Sequence, residues 1–294
     1  MKSISTRITR RTMLTRSVQA VAVAATVSPF APLLASPRSR WFKIGACDWS
    51  LGKRCDPAAF DVARQIGLDG VQIAMGDAAD KLQFSRPEVQ KTSQDAARRC
   101  GVAIASVAID AMWQGPLQND PRAARWLADT IDVCHTLRLP VCMIVNFDLD
   151  LGKTAEVDRF VSVMKGIVPK AEKQGVLIGM ENWLSAEDNM RLIDRVGSPA
   201  LKVYYDVGNS TDKGRDILKE IRMLGSKSIC EFHFKDGDHM LGHGRIDFKQ
   251  VRKALDEIEY SGWIQIEAAA PHGLIVDYTA DRKYLKDIFP GRLD

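Results

Sequence analysis

Short apolar runs alternate with amphipathic stretches along most of the chain. Eight runs are almost continuously apolar or rich in β-branched residues, as expected of parallel strands that are buried on both faces. The predicted strands span residues 42–47, 70–74, 102–108, 141–146, 176–181, 201–206, 229–234 and 263–267. Between them, apolar residues recur at three- and four-residue intervals, which predicts helices. Clear examples are residues 57–66, 122–137 and 157–173.

Glycine and proline positions agree with these boundaries. Four glycines fall between a helical stretch and the next strand, where a left-handed residue commonly ends a helix: Gly67, Gly101, Gly175 and Gly262. Pro87 stands where a helix can begin, and Asp247 is a residue typical of a helix N-cap. Eight alternating units over about 250 residues predict an α/β fold, a single-domain (β/α)8 TIM barrel.

A doubly wound open sheet is the alternative fold for alternating strands and helices. Such sheets usually carry a glycine-rich phosphate turn after the first strand. The corresponding stretch here, Gly45-Ala-Cys-Asp-Trp-Ser-Leu-Gly52, lacks that pattern. The barrel is therefore favoured.

The first 40 residues differ in composition from the rest, because they contain Lys and Arg but no Asp or Glu. A basic stretch precedes an Ala/Val-rich apolar stretch at 18–34, and small residues follow, which is the order of a cleaved secretory signal. Arg10 and Arg11, placed just before the apolar stretch, resemble a twin-arginine export signal. The alternative is an N-terminal membrane anchor, which the two prolines within the short apolar stretch disfavour.

These features predict three segments. Residues 1–35 are a twin-arginine-type signal peptide, residues 36–41 a short linker and residues 42–294 the barrel. We expect the mature protein to be exported to the periplasm or another extracytoplasmic space, without stable membrane insertion once the signal is cleaved.

Charge and composition narrow the class of partner. The chain has 46% apolar and 27% charged residues, which is ordinary for a globular protein. Removing the five positive charges of residues 1–35 would change the net charge from +4 to −1. A nearly neutral domain gives no electrostatic reason to expect nucleic acid or an anionic membrane as partner. The six cysteines form no CxxC pair, although an oxidising destination would permit a local Cys47–Cys55 disulfide.

Four metal-ligand-type residues end the last four apolar runs: Glu181, Asp206, His233 and Glu267. They are separated by 25, 27 and 34 positions, about one strand-plus-helix unit each. That spacing brings the four side chains to one rim of a barrel, where three carboxylates and an imidazole would make a divalent-metal site. A structural ion-pair network is the alternative, but only Lys235 and Arg245 are obvious cations nearby.

The chemistry of these four side chains limits which metal is expected. Carboxylate-rich ligand sets favour Mn²⁺ or Mg²⁺, with Co²⁺, Fe²⁺ or Zn²⁺ also compatible. A structural zinc site would instead prefer thiolates.

Four segments around these residues resemble the motifs of a known superfamily. They are Ile178-Gly-Met-Glu-Asn182, Tyr204-Tyr-Asp-Val-Gly-Asn209, Phe232-His-Phe-Lys-Asp236 and Gly242-His-Gly-Arg-Ile-Asp-Phe248. In this order they resemble the xylose isomerase-like barrels, and in particular the sugar phosphate isomerase/epimerase branch, which includes ketose 3-epimerases and hydroxypyruvate isomerase. The similarity extends over about residues 42–290.

The resemblance implies a mechanism. Glu181, Asp206, His233 and Glu267 would bind the metal, and Glu181 and Glu267 would also move a proton between the two faces of the substrate carbon next to a carbonyl. The metal would stabilise the enediolate that forms. The expected substrate is a sugar or sugar derivative, and a homo-oligomer is left open.

Further residues are candidates for substrate contact. We place Asn209, Arg245 and Lys235 beside the substrate, and Asp236 behind the ligands as an orienting group or as a helix cap. Three tryptophans, Trp49, Trp113 and Trp183, lie where active-site loops gather and would stack on a sugar or pack within loops. Two positions depart from the family pattern, since many relatives carry His at the positions of Trp183 and Asn209.

Three other functions compete with the isomerase or epimerase. A lyase or dehydratase acting on a keto-sugar or keto-inositol would use the same metal site and the same first proton transfer. A non-catalytic sugar-binding barrel would keep the fold without turnover. Metal-dependent DNA repair enzymes share this barrel but use a His-rich zinc cluster, whereas this chain has five His and is almost neutral.

Overall fold

The computed structural model describes residues 41–290, except for the side chain of residue 80, and within this range eight parallel strands close into a barrel. The strands are β1 Phe42–Cys47, β2 Gly70–Ala74, β3 Ala103–Ile109, β4 Val141–Val145, β5 Leu177–Glu181, β6 Leu201–Asp206, β7 Ile229–Phe234 and β8 Gly262–Ile266. Each strand pairs with its neighbour in sequence, and β8 pairs with β1 to close the sheet. The predicted (β/α)8 barrel is therefore confirmed. The predicted signal peptide lies outside the described residues.

Nine α-helices surround the barrel in the described range. They are α1 Ala59–Ile66, α2 Pro87–Cys100, α3 Ala123–Leu137, α4 Thr154–Gln174, α5 Ala186–Val196, α6 Val207–Asp212, α7 Ile217–Ser228, α8 Phe248–Glu257 and α9 Leu274–Ile288. Eight of them complete the eight strand–helix units, and the short α6 is an additional helix directly after β6. No helix within residues 41–290 is long and apolar enough to cross a bilayer.

The glycines predicted to end helices do so with one exception. Gly67, Gly101 and Gly175 all take the left-handed conformation after their helices. The prediction for Gly262 is wrong, because Gly262 is the first residue of β8 and Glu259 takes the left-handed conformation instead. A Cβ at position 262 would lie 2.6 Å from Tyr260 Oη, so close packing rather than a turn explains this glycine.

Polar side chains fill part of the barrel interior. The buried Glu231 carboxylate accepts hydrogen bonds from Ser106 Oγ at 2.8 Å and Tyr204 Oη at 3.0 Å. The Gln72 side-chain amide donates to Tyr204 Oη at 3.1 Å and to Ser106 Oγ at 3.2 Å. Because buried polar groups are costly unless they are hydrogen-bonded, this network fixes these side chains in place.

A buried carboxyl at the end of the first strand joins β1 to β2. Asp48 Oδ2 accepts hydrogen bonds from the backbone N–H groups of Cys55 at 2.9 Å and Ala74 at 3.1 Å. Asp48 Oδ1 has no hydrogen-bond partner. Burial raises the pKa of Asp48 to about 7, more than the two backbone hydrogen bonds lower it.

This pKa predicts a pH-dependent effect of Asp48→Asn. An unfolded Asp ionises near pH 4, so between about pH 4 and 7 the unfolded chain loses a proton that the folded protein keeps, and stability falls as the pH rises. Asn does not titrate. From about pH 5.5 to about pH 8.5, the unfolding free energy of the variant relative to wild type should therefore increase by about 2 kcal/mol. Urea unfolding at both pH values measures this, and a pH-independent difference would contradict the assignment.

Candidate metal centre

Four side chains converge at the carboxyl end of the barrel. One ligand atom from each of Glu181, Asp206, His233 and Glu267 lies within 4.8 Å of the other three. His233 Nδ1 is 3.1 Å from Glu181 Oε1 and 3.7 Å from Glu267 Oε2. All are buried except Glu267, which is partly exposed. The structure thus brings together the four residues that the sequence predicted as ligands.

The barrel itself produces this convergence. Glu181 and Asp206 are the last residues of β5 and β6, and His233 is the penultimate residue of β7. Glu267 follows β8 directly, and its backbone N–H donates to the Phe234 carbonyl at 2.9 Å. Four consecutive parallel strands therefore end at the same level, with one ligand each, at the end of the barrel where active sites of this fold lie.

The donor set fits a divalent cation. With metal–ligand bonds of about 2.1 Å, neighbouring ligand atoms in an octahedral site are about 3 Å apart and opposite ones about 4.2 Å apart. The separations of up to 4.8 Å seen here are close to that range. Three carboxylates and one imidazole nitrogen are ligands that Mn²⁺ and Mg²⁺ accept.

A lysine ammonium group lies between two of the carboxylates. Lys235 Nζ is 2.8 Å from Asp206 Oδ2 and 2.6 Å from Glu267 Oε2. The Lys235 side chain passes over Gly208, where any Cβ would collide with it. Lys235 was predicted to contact substrate, and the structure places it on the ligand carboxylates themselves. It partly neutralises the negative charge that three neighbouring carboxylates would otherwise accumulate.

The local charges shift the pKa values of the cluster in opposite directions. Burial raises the pKa of Asp206 to about 7, and the nearby Glu181 and Glu267 add to the increase while Lys235 opposes it. Burial also acts to raise the pKa of Glu267, but His233 and Lys235 outweigh it and the pKa is lowered. Burial disfavours the charged form of His233, yet Cys47, Glu181 and Glu267 together raise its pKa. Glu267 is therefore the more readily ionised of the two shifted carboxyl groups.

A glutamine on β2 fixes the orientation of the histidine ring. His233 Nε2 lies 2.8 Å from Gln72 Oε1, so Nε2–H donates to this amide oxygen and Nδ1 faces the carboxylates. The Cys47 thiol lies 3.3 Å from both His233 Nε2 and Gln72 Oε1, so it is not in a disulfide with Cys55. Sequence reasoning missed Gln72 and Cys47. The one available signal was a polar residue, Gln72, inside an otherwise apolar strand.

Besides Lys235, two of the predicted substrate-contacting residues touch the ligands. Trp49 Nε1 donates to Glu267 Oε1 at 2.8 Å. Asn209 Nδ2 donates to Glu181 Oε1 at 3.4 Å, and its backbone N–H donates to Asp206 Oδ1 at 2.8 Å. These contacts orient three of the four ligands.

The other predicted residues lie further out. Arg245 is exposed and forms an ion pair with Asp212. Asp236 accepts hydrogen bonds from four backbone N–H groups, those of Gly242, Gly244, Arg245 and Ile246. Both Asp236 oxygens are thus used to shape the loop after β7. Trp113 and Trp183 lie in the loops after β3 and β5, where Phe147 packs between their rings.

Comparison with known proteins was consistent with the barrel. A family model described as a xylose isomerase-like TIM barrel matches residues 60–288. The chain is 24% identical over 224 residues to 2-epi-5-epi-valiolone 7-phosphate 2-epimerase of Actinoplanes sp., which covers 72% of this chain and 82% of that protein. Two solved structures are similar in fold. D-psicose 3-epimerase of Clostridium cellulolyticum H10 has a TM-score of 0.70 and 18% identity, and the match covers 84% of this chain and 99% of that chain. D-allulose 3-epimerase of Methylomonas sp. has a TM-score of 0.68 and 15% identity, and the match covers 85% of this chain and 98% of that chain.

The position of Lys235 predicts that its removal destabilises the metal-free protein. Lys235→Met keeps the length of the side chain but leaves Asp206 and Glu267 without their counter-ion. We expect the unfolding free energy in EDTA at neutral pH to fall by about 2–3 kcal/mol, as measured by urea unfolding. The exposed Lys219→Met is the control and should change stability by less than about 0.5 kcal/mol. Equal stabilities of the two variants would show that Lys235 is not the counter-ion.

Proposed function

The chain belongs to the xylose isomerase-like TIM barrel family, and from this premise we propose that it is a divalent-metal-dependent sugar isomerase or epimerase. It would act by moving a proton on a substrate carbon next to a carbonyl group. The observation that carries the proposal is the convergence of Glu181, Asp206, His233 and Glu267 within 4.8 Å. The epimerase names of the similar proteins are consistent with it.

In this proposal, the two glutamates would serve the two faces of a substrate carbon. Glu181 ends β5 and Glu267 follows β8, so the two strands β6 and β7 separate them around the rim. A sugar that enters between them presents one face of its reacting carbon to each carboxyl group. One carboxylate can remove the proton and the other, when protonated, can return a proton to the opposite face.

The metal site supplies the electrophilic part of this chemistry. A cation held by Glu181, Asp206, His233 and Glu267 would polarise the carbonyl oxygen and so acidify the neighbouring C–H bond. Asp206 and His233 would act only as ligands. Asn209, whose amide contacts Glu181, can donate a hydrogen bond to a substrate hydroxyl but cannot act as a base.

Glu267 is the better candidate for the first proton acceptor. Its pKa is lowered by His233 and Lys235, which outweigh burial, so it is ionised at neutral pH and can accept a proton. The Trp49 indole N–H holds Glu267 Oε1 at 2.8 Å and fixes the direction of the carboxylate. In the metal-free protein, the Lys235 ammonium group lies 2.6 Å from Glu267 Oε2 and helps to keep this carboxylate charged.

A deuterium-exchange experiment tests this proposal. The Mn²⁺-loaded protein is incubated in D₂O with a panel of ketoses, and NMR follows exchange at the carbon next to the carbonyl. We expect exchange with at least one ketose, its loss after EDTA treatment and its recovery when Mn²⁺ is added back. Glu267→Gln and Glu181→Gln should each lower the rate at least about 100-fold, because each removes a proton-transfer group.

The matched control is Glu257→Gln, which changes an exposed carboxylate on α8 that pairs with Arg222. It should exchange at the wild-type rate. Exchange that persists in both site variants, or no exchange with any ketose in the metal-loaded protein, would refute the proposal. Product analysis separates the reaction types, because epimerisation or isomerisation conserves the mass of the sugar and elimination does not.

A further inference from the structure

Three aromatic rings form a partly exposed surface beside the candidate metal centre. We call it the aromatic shelf and define it as Trp113, Phe147 and Trp183. Phe147 lies between the two indoles, with ring centroids 4.9 Å from Trp113 and 4.8 Å from Trp183. Trp113 is 61% exposed and Trp183 37% exposed. Exposed apolar surface next to a site often marks a ligand-binding surface.

The shelf rings are held in place although they are exposed. The Trp183 carbonyl accepts a hydrogen bond from Arg215, and the Lys213 ammonium lies 4.2 Å from the centre of the Trp183 ring. Trp113 is the last residue of a short 3-10 helix, Asp110–Trp113. Met112, which precedes Trp113 in this helix, is buried in the core. A fixed ring loses little conformational freedom when it binds a ligand, which favours affinity.

The shelf is continuous with the metal ligands. Trp183 lies two residues after Glu181, and Phe147 follows Asn146, whose backbone N–H donates to the Glu181 carbonyl at 2.9 Å. The ligands occupy the rim from β5 to β8, while the shelf occupies the rim from β3 to β5. Glu181 is the boundary between them. A molecule that contacts both the ligands and the shelf must therefore pass over Glu181.

The polar groups around the shelf suit a second sugar ring. Exposed polar side chains follow two of the rings in sequence, Gln114 after Trp113 and Asp148 after Phe147, and Lys213 lies over the third. A sugar ring has the same character, with an apolar C–H face and a rim of hydroxyl groups.

The nearby arginines do not favour a phosphate group. Arg245 is paired with Asp212, and Arg215 donates to the Trp183 carbonyl and lies 3.6 Å from the Glu220 carboxylate. A phosphate would have to compete with these partners. These two arginines are therefore already engaged, whereas the Lys213 ammonium group is held over the Trp183 ring.

We propose, building on the proposed function, that the aromatic shelf binds the second sugar ring of an unphosphorylated glycoside. The reacting sugar lies at Glu181, Asp206, His233 and Glu267, and the linked ring packs its C–H face on Trp113, whose plane is inclined by 68° to that of Phe147. Trp113 determines the preference for two rings, because it is the most exposed of the three and lies outside the metal site.

Isothermal titration of the Mn²⁺-loaded protein tests this assignment. The probes are maltose, cellobiose, lactose and trehalose, with glucose as the one-ring reference, 4-nitrophenyl β-glucoside as an aromatic aglycone and glucose 6-phosphate as a charged sugar. At least one disaccharide should bind at least tenfold more tightly than glucose. Trp113→Ala should weaken that disaccharide about 3- to 10-fold and leave glucose unchanged. Trp41→Ala, at the opposite end of the barrel, is the control and should change neither.

Each other outcome overturns the assignment. Disaccharides that bind no more tightly than glucose, or that are insensitive to Trp113→Ala, exclude a second-ring site. Preference for 4-nitrophenyl β-glucoside alone assigns the shelf to an aromatic group, and preference for glucose 6-phosphate assigns the rim to a phosphate. These results are separable from the proposed function, because ketose exchange is measured on the wild-type protein and does not require any binding to the shelf.

Discussion

Two buried carboxylates, one partly exposed carboxylate and a buried imidazole lie together at the carboxyl end of the barrel, and the neighbouring side chains offset their charge. Burial raises the pKa of Asp206 to about 7. Lys235 provides the counter-charge, and its side chain reaches the cluster because Gly208 has no Cβ to block it. Buried like charges are costly unless they are paired or ligated; Lys235 pairs two of these carboxylates, and the proposed divalent cation would ligate all three.

Hydrogen bonds inside the barrel also fix the orientation of the His233 ring. Gln72 receives the Nε2–H of His233 and in turn donates to Tyr204 and Ser106, which both hydrogen-bond to Glu231. The direction of the ligand nitrogen thus depends on residues from several strands. Loss of such outer contacts typically lowers metal affinity or activity about 10- to 100-fold. The same buried network therefore connects strands of the barrel and orients the candidate ligand His233.

The sequence predicted the four ligands because parallel strands end at one rim, so a polar residue at the end of an apolar run has a predictable position. It could not predict their partners. Gln72 lies in the middle of a strand, and the direction of its side chain depends on strand register. Lys235 was identified as a site residue, but its place on Asp206 and Glu267 depends on a three-dimensional gap above Gly208. Gly262 was misinterpreted as a helix end because close packing against Tyr260 leaves no sequence signal.

The central claim is that the four converging side chains form one metal site. Crystals grown with Mn²⁺ and measured at a wavelength where manganese scatters anomalously test it directly. We expect one strong anomalous peak within about 2.3 Å of four atoms: one carboxylate oxygen from each of Glu181, Asp206 and Glu267, and His233 Nδ1. A map without a peak at this position in the presence of excess Mn²⁺, or with Lys235 still bridging Asp206 and Glu267 there, would contradict it.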